Sequence, residues 1–275
     1  MTRIQRRMLR RRRRRRRMLL GVGIMLACCA GIFLLKRPML QTEWIARPTP
    51  SPTADAYDRS VVTREVLLPA QTWYTIQTGV FSTREAALEK AGAYTDRGAP
   101  GTLVEEGGKW RVFIASYGRE EDASLVRQKL GEQQRVETYL YPWTCPELHL
   151  RLSGMAGQLD AAEAGLMLLT SAAELLRDTA ILLDAAQLTT AEALQEAGEL
   201  DAQISLWVET AHSRFGRQPP QLVSELLTMA DGWVKRYAAI RQGGESATML
   251  SAELKGQGMQ LFDEMIHLRS AISGD

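Results

Sequence analysis

The spacing of apolar positions changes along the chain, and each change marks a different kind of structure. Residues 18–35 form one uncharged, almost wholly apolar run. Residues 71–143 hold short stretches that alternate apolar and polar, separated by stretches with a helical repeat. Beyond 144 the apolar positions recur at alternating spacings of three and four, which is a helical seam.

In the middle segment, 73–81 is aromatic and β-branched and reads as a strand. Ser82 or Thr83 then caps a helix over 84–97, with Ala87, Leu88, Ala91 and Tyr94 on its apolar stripe and Gly98 at its end. A strand over 102–105 turns at Glu106-Gly107-Gly108 into a strand over 109–115. A helix over 120–133 turns Ala123, Val126 and Leu130 inward, and 136–141 is the last strand. The order is βαββαβ. In the C-terminal segment a seam runs from Leu152 and Met155 through Leu159, Leu166 and Leu176 to Leu183. Further stripes follow after Thr189, after Pro219-Pro220 and after Gly243-Gly244. Four stripes joined by short connections predict an antiparallel four-helix bundle. A dimer through the first helix is the rival arrangement, and the need to bury all four stripes favours the bundle.

Charge divides the chain in the same places. Of 34 Lys and Arg, 13 lie in residues 1–37, which hold no acid; residues 144–275 carry 9 basic and 18 acidic residues. Eight arginines run from Arg10 to Arg17, directly before the apolar stretch. As a helix, 18–35 would be about 27 Å long, close to the ~30 Å hydrocarbon core, with Arg17 and Lys36 able to snorkel. The positive-inside rule puts the Arg-rich tail, 1–17, in the cytoplasm and everything after the span outside. Two rivals are a cleaved or lipoprotein-type signal at Met25-Leu26-Ala27-Cys28 and a twin-arginine signal at Arg16-Arg17. The first is opposed by the apolar run continuing past the cysteines; the second matches any polyarginine. Residues 36–70 contain Pro38, Pro48, Pro50, Pro52 and Pro69 and read as an extended extracytoplasmic linker. Within it 61–68 is more apolar, and a short strand there stays open.

The acidic body argues against nucleic acid as a partner, which needs clustered cation. Three cysteines and three histidines, all scattered, point to neither a disulfide scaffold nor a metal site. No cofactor signature and no catalytic constellation stands out.

The segment 71–143 resembles a SPOR domain, the sporulation-related repeat of bacterial cell-wall proteins. Two half-repeats carry the resemblance. One is Gln77-Thr78-Gly79-Val80-Phe81-Ser82 with its Ala-rich helix; the other is Gly107-Gly108-Lys109-Trp110-Arg111-Val112 with Ser116-Tyr117-Gly118 and a second helix. The resemblance implies a ferredoxin-like sheet with helices on one face, and binding to peptidoglycan glycan strands at division or sporulation septa.

Strand parity gives an independent expectation for the site. Tyr74, Ile76, Trp110, Val112, Ile114 and Leu140 belong under the helices. Trp73, Gln77, Lys109, Arg111, Phe113, Tyr139 and Tyr141 then share an uncovered face, where amide, guanidinium and phenol groups can bond sugar hydroxyls and rings can lie on pyranoses. These seven residues are the expected glycan site, with Gln77 and Arg111 foremost.

The expected chain is therefore α+β: a transmembrane helix, a linker, a SPOR-like domain and a helical bundle over 144–275. The expected function is non-enzymatic, membrane-tethered peptidoglycan binding at the cell wall, with the lipid bilayer as anchor and a protein partner at the bundle. The alternatives are an assembly protein whose α/β unit packs on its own bundle without binding glycan, and a cell-wall hydrolase.

Overall fold

The computed structural model describes residues 61–244 and 246–273. The Arg-rich tail, the apolar stretch 18–35 and most of the linker lie outside the described residues. No helix among the described residues is long and apolar enough to cross a membrane.

The α/β unit comprises β2 (Gln71–Phe81), α1 (Arg84–Thr95), β3 (Thr102–Glu106), β4 (Lys109–Tyr117), α2 (Glu120–Gln134) and β5 (Tyr139–Cys145); β1 (Val61–Leu68) precedes it. The four strands lie in the order β3-β4-β2-β5, each antiparallel to its neighbour. Local chemistry explains the boundaries. Thr83 caps α1 by accepting a hydrogen bond from the Ala86 amide at 3.3 Å. Gly107 and Gly108, with φ of 57° and 72°, make the tight β3–β4 turn, which needs two consecutive left-handed residues. Glu120, Glu121 and Asp122 sit in the first turn of α2, where the helix dipole favours anions.

Three boundaries differ from the sequence expectation. The last strand begins at Tyr139 and runs through Pro142 to Cys145; Pro142 is tolerated because β5 is an edge strand. The segment 61–68, left open above, is β1 and pairs antiparallel with a further strand, β6 (Leu148–Met155). Leu152 and Met155, assigned by spacing to a helical seam, belong to β6. Its burial alternates: Leu148, Leu150 and Leu152 turn in while His149, Arg151 and Ser153 turn out. That two-residue period prevails over the three-and-four spacing it happens to share.

The helical region is α3 (Ala156–Asp184), α4 (Thr190–Phe215), α5 (Gln221–Gly243) and α6 (Ala247–Ser273). Consecutive helices pack on one another, and α6 closes the ring against α3. Thr189 and Glu192 form a reciprocal capping box at the start of α4. Gly165 leaves room for the Trp207 indole, whose Nε1 donates to the Ala161 carbonyl at 2.8 Å.

The two regions share one core. On one face of the sheet, Ile76 and Ile114 pack with Ala123, Val126 and Leu130 of α2, and Val112 packs with Ala87 and Ala91 of α1. On the other, Trp73, Val104, Phe113 and Trp143 merge with the interior of the bundle. Phe262 of α6 stacks on Trp73 with centroids 4.1 Å apart and planes 11° apart, and meets Trp143 edge-on at 5.1 Å. The Arg177 guanidinium of α3 lies 4.7 Å from the Trp73 ring centre. Arg269, fully buried, donates from Nη1 to the carbonyls of Pro69 (2.9 Å) and Pro146 (2.8 Å), fixing α6 to the end of the sheet where β2 begins and β5 ends. The sheet face expected to be uncovered is thus, over its aromatic part, the contact with the bundle.

Because that core is continuous, α/β unit and bundle should unfold together. Denaturation followed by tryptophan fluorescence and by far-ultraviolet circular dichroism should give coincident transitions. Phe262→Ala should destabilise both by about 3–5 kcal/mol. Two resolved transitions, or a loss confined to one region, would contradict the shared core.

Candidate functional site

The seven residues expected to share an open face fall into two groups. Trp73 is 1% exposed and Phe113 is 0% exposed, both beneath α6. This corrects the expectation of an open aromatic face. Parity placed both rings on the face away from α1 and α2, and there α6 brings an aromatic of its own.

The other five gather at the end of the sheet where β2 finishes and the β3–β4 turn begins. Gln77 pairs across to Phe113 and Tyr139, with a register shift on either side of it. That irregularity disturbs the strict alternation at this rung. Gln77 is buried at 7% exposure, and its Oε1 accepts from Arg111 Nη1 at 2.9 Å. Arg111 Nε donates to Glu106 Oε2 at 2.6 Å. The Tyr141 hydroxyl donates to Glu106 Oε1 at 2.5 Å, and the Arg111 guanidinium lies over the Tyr141 ring, 4.4 Å from its centre. The result is a linked set of four side chains in which the Glu106 carboxylate joins Arg111 to Tyr141 and Arg111 reaches on to Gln77. Lys109 is exposed beside it. Tyr139 is 51% exposed and donates to Glu137 at 2.6 Å.

The electrostatics of the set follow from burial and pairing. Burial first, and then the hydrogen bond to Glu106, push the Tyr141 phenol up to about 12, so it is a neutral donor across the physiological range. Across from the set, Asp263 of α6 is raised to about 6. Burial is the main cause; Glu264 and Glu106 add repulsion, while His267, 3.7 Å away, pulls the other way. The arrangement offers fixed donors and acceptors at a partly open rim, suited to holding hydroxyl or amide groups. Both oxygens of Glu106 are engaged, one by Arg111 and the other by Tyr141. Among the described residues no cluster of His, Cys, Asp or Glu is placed to hold a metal ion.

Sequence reasoning brought Gln77, Arg111 and Tyr141 together and missed Glu106 and Asp263. Glu106 had a signal. It lies two residues from Val104 on β3, on the same face, diagonal to Arg111 across the turn. Asp263 had none, because its place depends on how α6 docks.

With this geometry established, comparison with known families is specific. Residues 70–141 match the SPOR domain model, so the chain carries a SPOR domain. SPOR domains are binding domains, known for peptidoglycan. The match spans β2 through the first residues of β5 and stops short of the helical region. No curated protein and no solved structure matches the chain.

The raised Asp263 makes a pH signature. The folded state keeps this proton up to about pH 6, whereas the unfolded chain releases it near 3.8. Stability from this group is complete below pH 4 and is lost as pH rises through 6. Asp263→Asn should remove that fall and leave the protein more stable than wild type at pH 7. Urea midpoints at pH 4 and pH 7 measure it; equal pH dependence in both proteins would refute the assignment.

Proposed function

We propose that the chain is a non-enzymatic, membrane-tethered peptidoglycan-binding protein that meets glycan strands at the rim of its SPOR sheet. The observation that carries this reading is the Gln77–Arg111–Glu106–Tyr141 set, in the part of the SPOR sheet that keeps a partly open rim. Arg111 and Tyr141 are pre-oriented, so little side-chain entropy is lost when a sugar hydroxyl or acetamido group bonds to them. Lys109 and the Tyr139 ring widen the surface, the ring offering an apolar face to a pyranose. The apolar run 18–35 and the arginines before it support a single cytoplasmic-to-outside pass. The proline-rich stretch after it supports reach into the wall. The bundle then serves as a rigid backing for the sheet and a candidate surface for a protein partner. Division or sporulation septa are the setting that the family implies.

A second reading has its own support. Burial of Trp73 under Phe262, and of Phe113 against Trp143 in the same core, removes two rings from any open sheet face, which favours an assembly protein whose SPOR unit packs on its bundle and binds no glycan.

Co-sedimentation of the full chain with purified peptidoglycan, intact and stripped of stem peptides, separates the two. The glycan reading expects pelleting that increases on stripped strands. It also expects pelleting to fall roughly tenfold in affinity in Arg111→Ala and several-fold in Lys109→Ala and Tyr139→Ala, one lost charged hydrogen bond being worth ~1.5–3 kcal/mol. Failure of the wild type to pellet establishes the assembly reading instead.

A further inference from the structure

A second concavity lies along the outer edge of β3, away from the rim set. β3 is an edge strand and, among the described residues, pairs only with β4. Its two-residue turn closes on Glu106 and Lys109 as a hydrogen-bonded pair. Alternation along an antiparallel ladder then turns the peptide groups of Thr102 and Val104 toward β4 and those of Leu103 outward. α1 covers one face of the sheet and α6 the other, and both overhang this edge. Between them is a cleft of about 600 Å³, lined among others by Arg84, Leu88, Leu103, Trp110, Met249 and Gln257. The size is that of ordinary ligand clefts. The floor is drawn tight: a Cβ on Gly98 would stand 2.4 Å from Thr248 Cγ2, and one on Gly256 would stand 3.3 Å from the Pro100 side chain. Leu88 on α1 is 44% exposed and Met249 on α6 is 49% exposed, one on each wall.

We propose that this cleft binds an extended peptide segment, which lies along β3 as an added strand. The Leu103 N–H and C=O pair with the peptide backbone, an apolar side chain fills the space between Leu88 and Met249, and a carboxylate faces Arg84. An unpaired strand edge between two overhanging walls is complementary to another backbone. A sugar fits less well, because the Arg84 guanidinium already lies over the Trp110 ring, 5.7 Å from its centre, where a pyranose would stack. The site does not depend on glycan binding at the rim.

The test is selection of short random peptides displayed on phage against the purified full chain, followed by titration of the enriched sequences as synthetic peptides. The expected sequences share an apolar position flanked by an acidic one. Leu103→Pro removes an outward N–H without breaking the β4 ladder, and should weaken them roughly tenfold. Met249→Glu and Leu88→Glu, both at exposed positions, should do the same and decide the matter if the proline variant melts early. Arg111→Ala at the rim should leave the affinity unchanged. No enrichment, enriched peptides indifferent to all three cleft variants, or competition by chitotetraose with Leu103→Pro silent would each overturn the proposal.

Discussion

The stacking of Phe262 on Trp73 governs the architecture. A four-stranded antiparallel sheet with two short helices on one face leaves its other face to be covered by something. In this chain α6 covers it. Phe262 meets Trp73 and Trp143 there, Phe113 packs against Trp143, and Arg177 closes over the outer side of Trp73. Each such ring buries roughly 150–250 Å². At ~25 cal/mol per Å² that amounts to several kcal/mol per ring, more than any exposed ion pair in the molecule can contribute. Arg269 and its two carbonyl partners orient the contact, and the apolar burial holds it.

This contact also sets where polar chemistry can occur. Under α6 the sheet face is dry and aromatic. Towards the β3–β4 turn it becomes wet, and Arg111, Glu106 and Tyr141 satisfy one another there. Asp263 stands at the boundary, half withdrawn from water and facing Glu106. Its raised protonation range reports that position. The same helix that withdraws Trp73 and Phe113 from solvent therefore builds one wall of the rim.

The βαββαβ order was legible because each element carried a local signal: a Thr cap, a Gly-Gly turn, a two-residue or 3.6-residue period. Strand parity correctly divided Ile76, Val112 and Ile114 from Trp73, Phe113 and Arg111. Openness was not legible. Alternation says which way a ring points and nothing about what meets it, and the stripe of α6, loosened by Gly256 and Gly258, gave no address for Phe262. Those glycines bring the helix close: a Cβ on Gly258 would lie 3.2 Å from the Ala173 carbonyl oxygen on α3. The β1–β6 ribbon was obscured for another reason. Leu148 to Met155 satisfies both a strand period and the opening of the helical seam, and only pairing with 61–68 decides between them.

The ribbon also gives the molecule a direction. The chain enters β2 at Gln71, beside the end of β5 at Cys145, and the rim set begins at Gln77, where β5 starts at Tyr139. Six residues of strand separate those rungs, roughly 20 Å. Arg269 clamps the entry end by holding Pro69 and Pro146 together. A linker that reaches β2 through β1 therefore attaches to the sheet at the end remote from the rim. If the chain is tethered through residues before 61, tension arrives at the clamped end, where buried hydrogen bonds and the β1–β6 ladder resist it. The rim set carries none of that load. Holding a ligand and bearing a tether then fall to opposite ends of one sheet, with the Trp73–Phe262 contact as the rigid body between them.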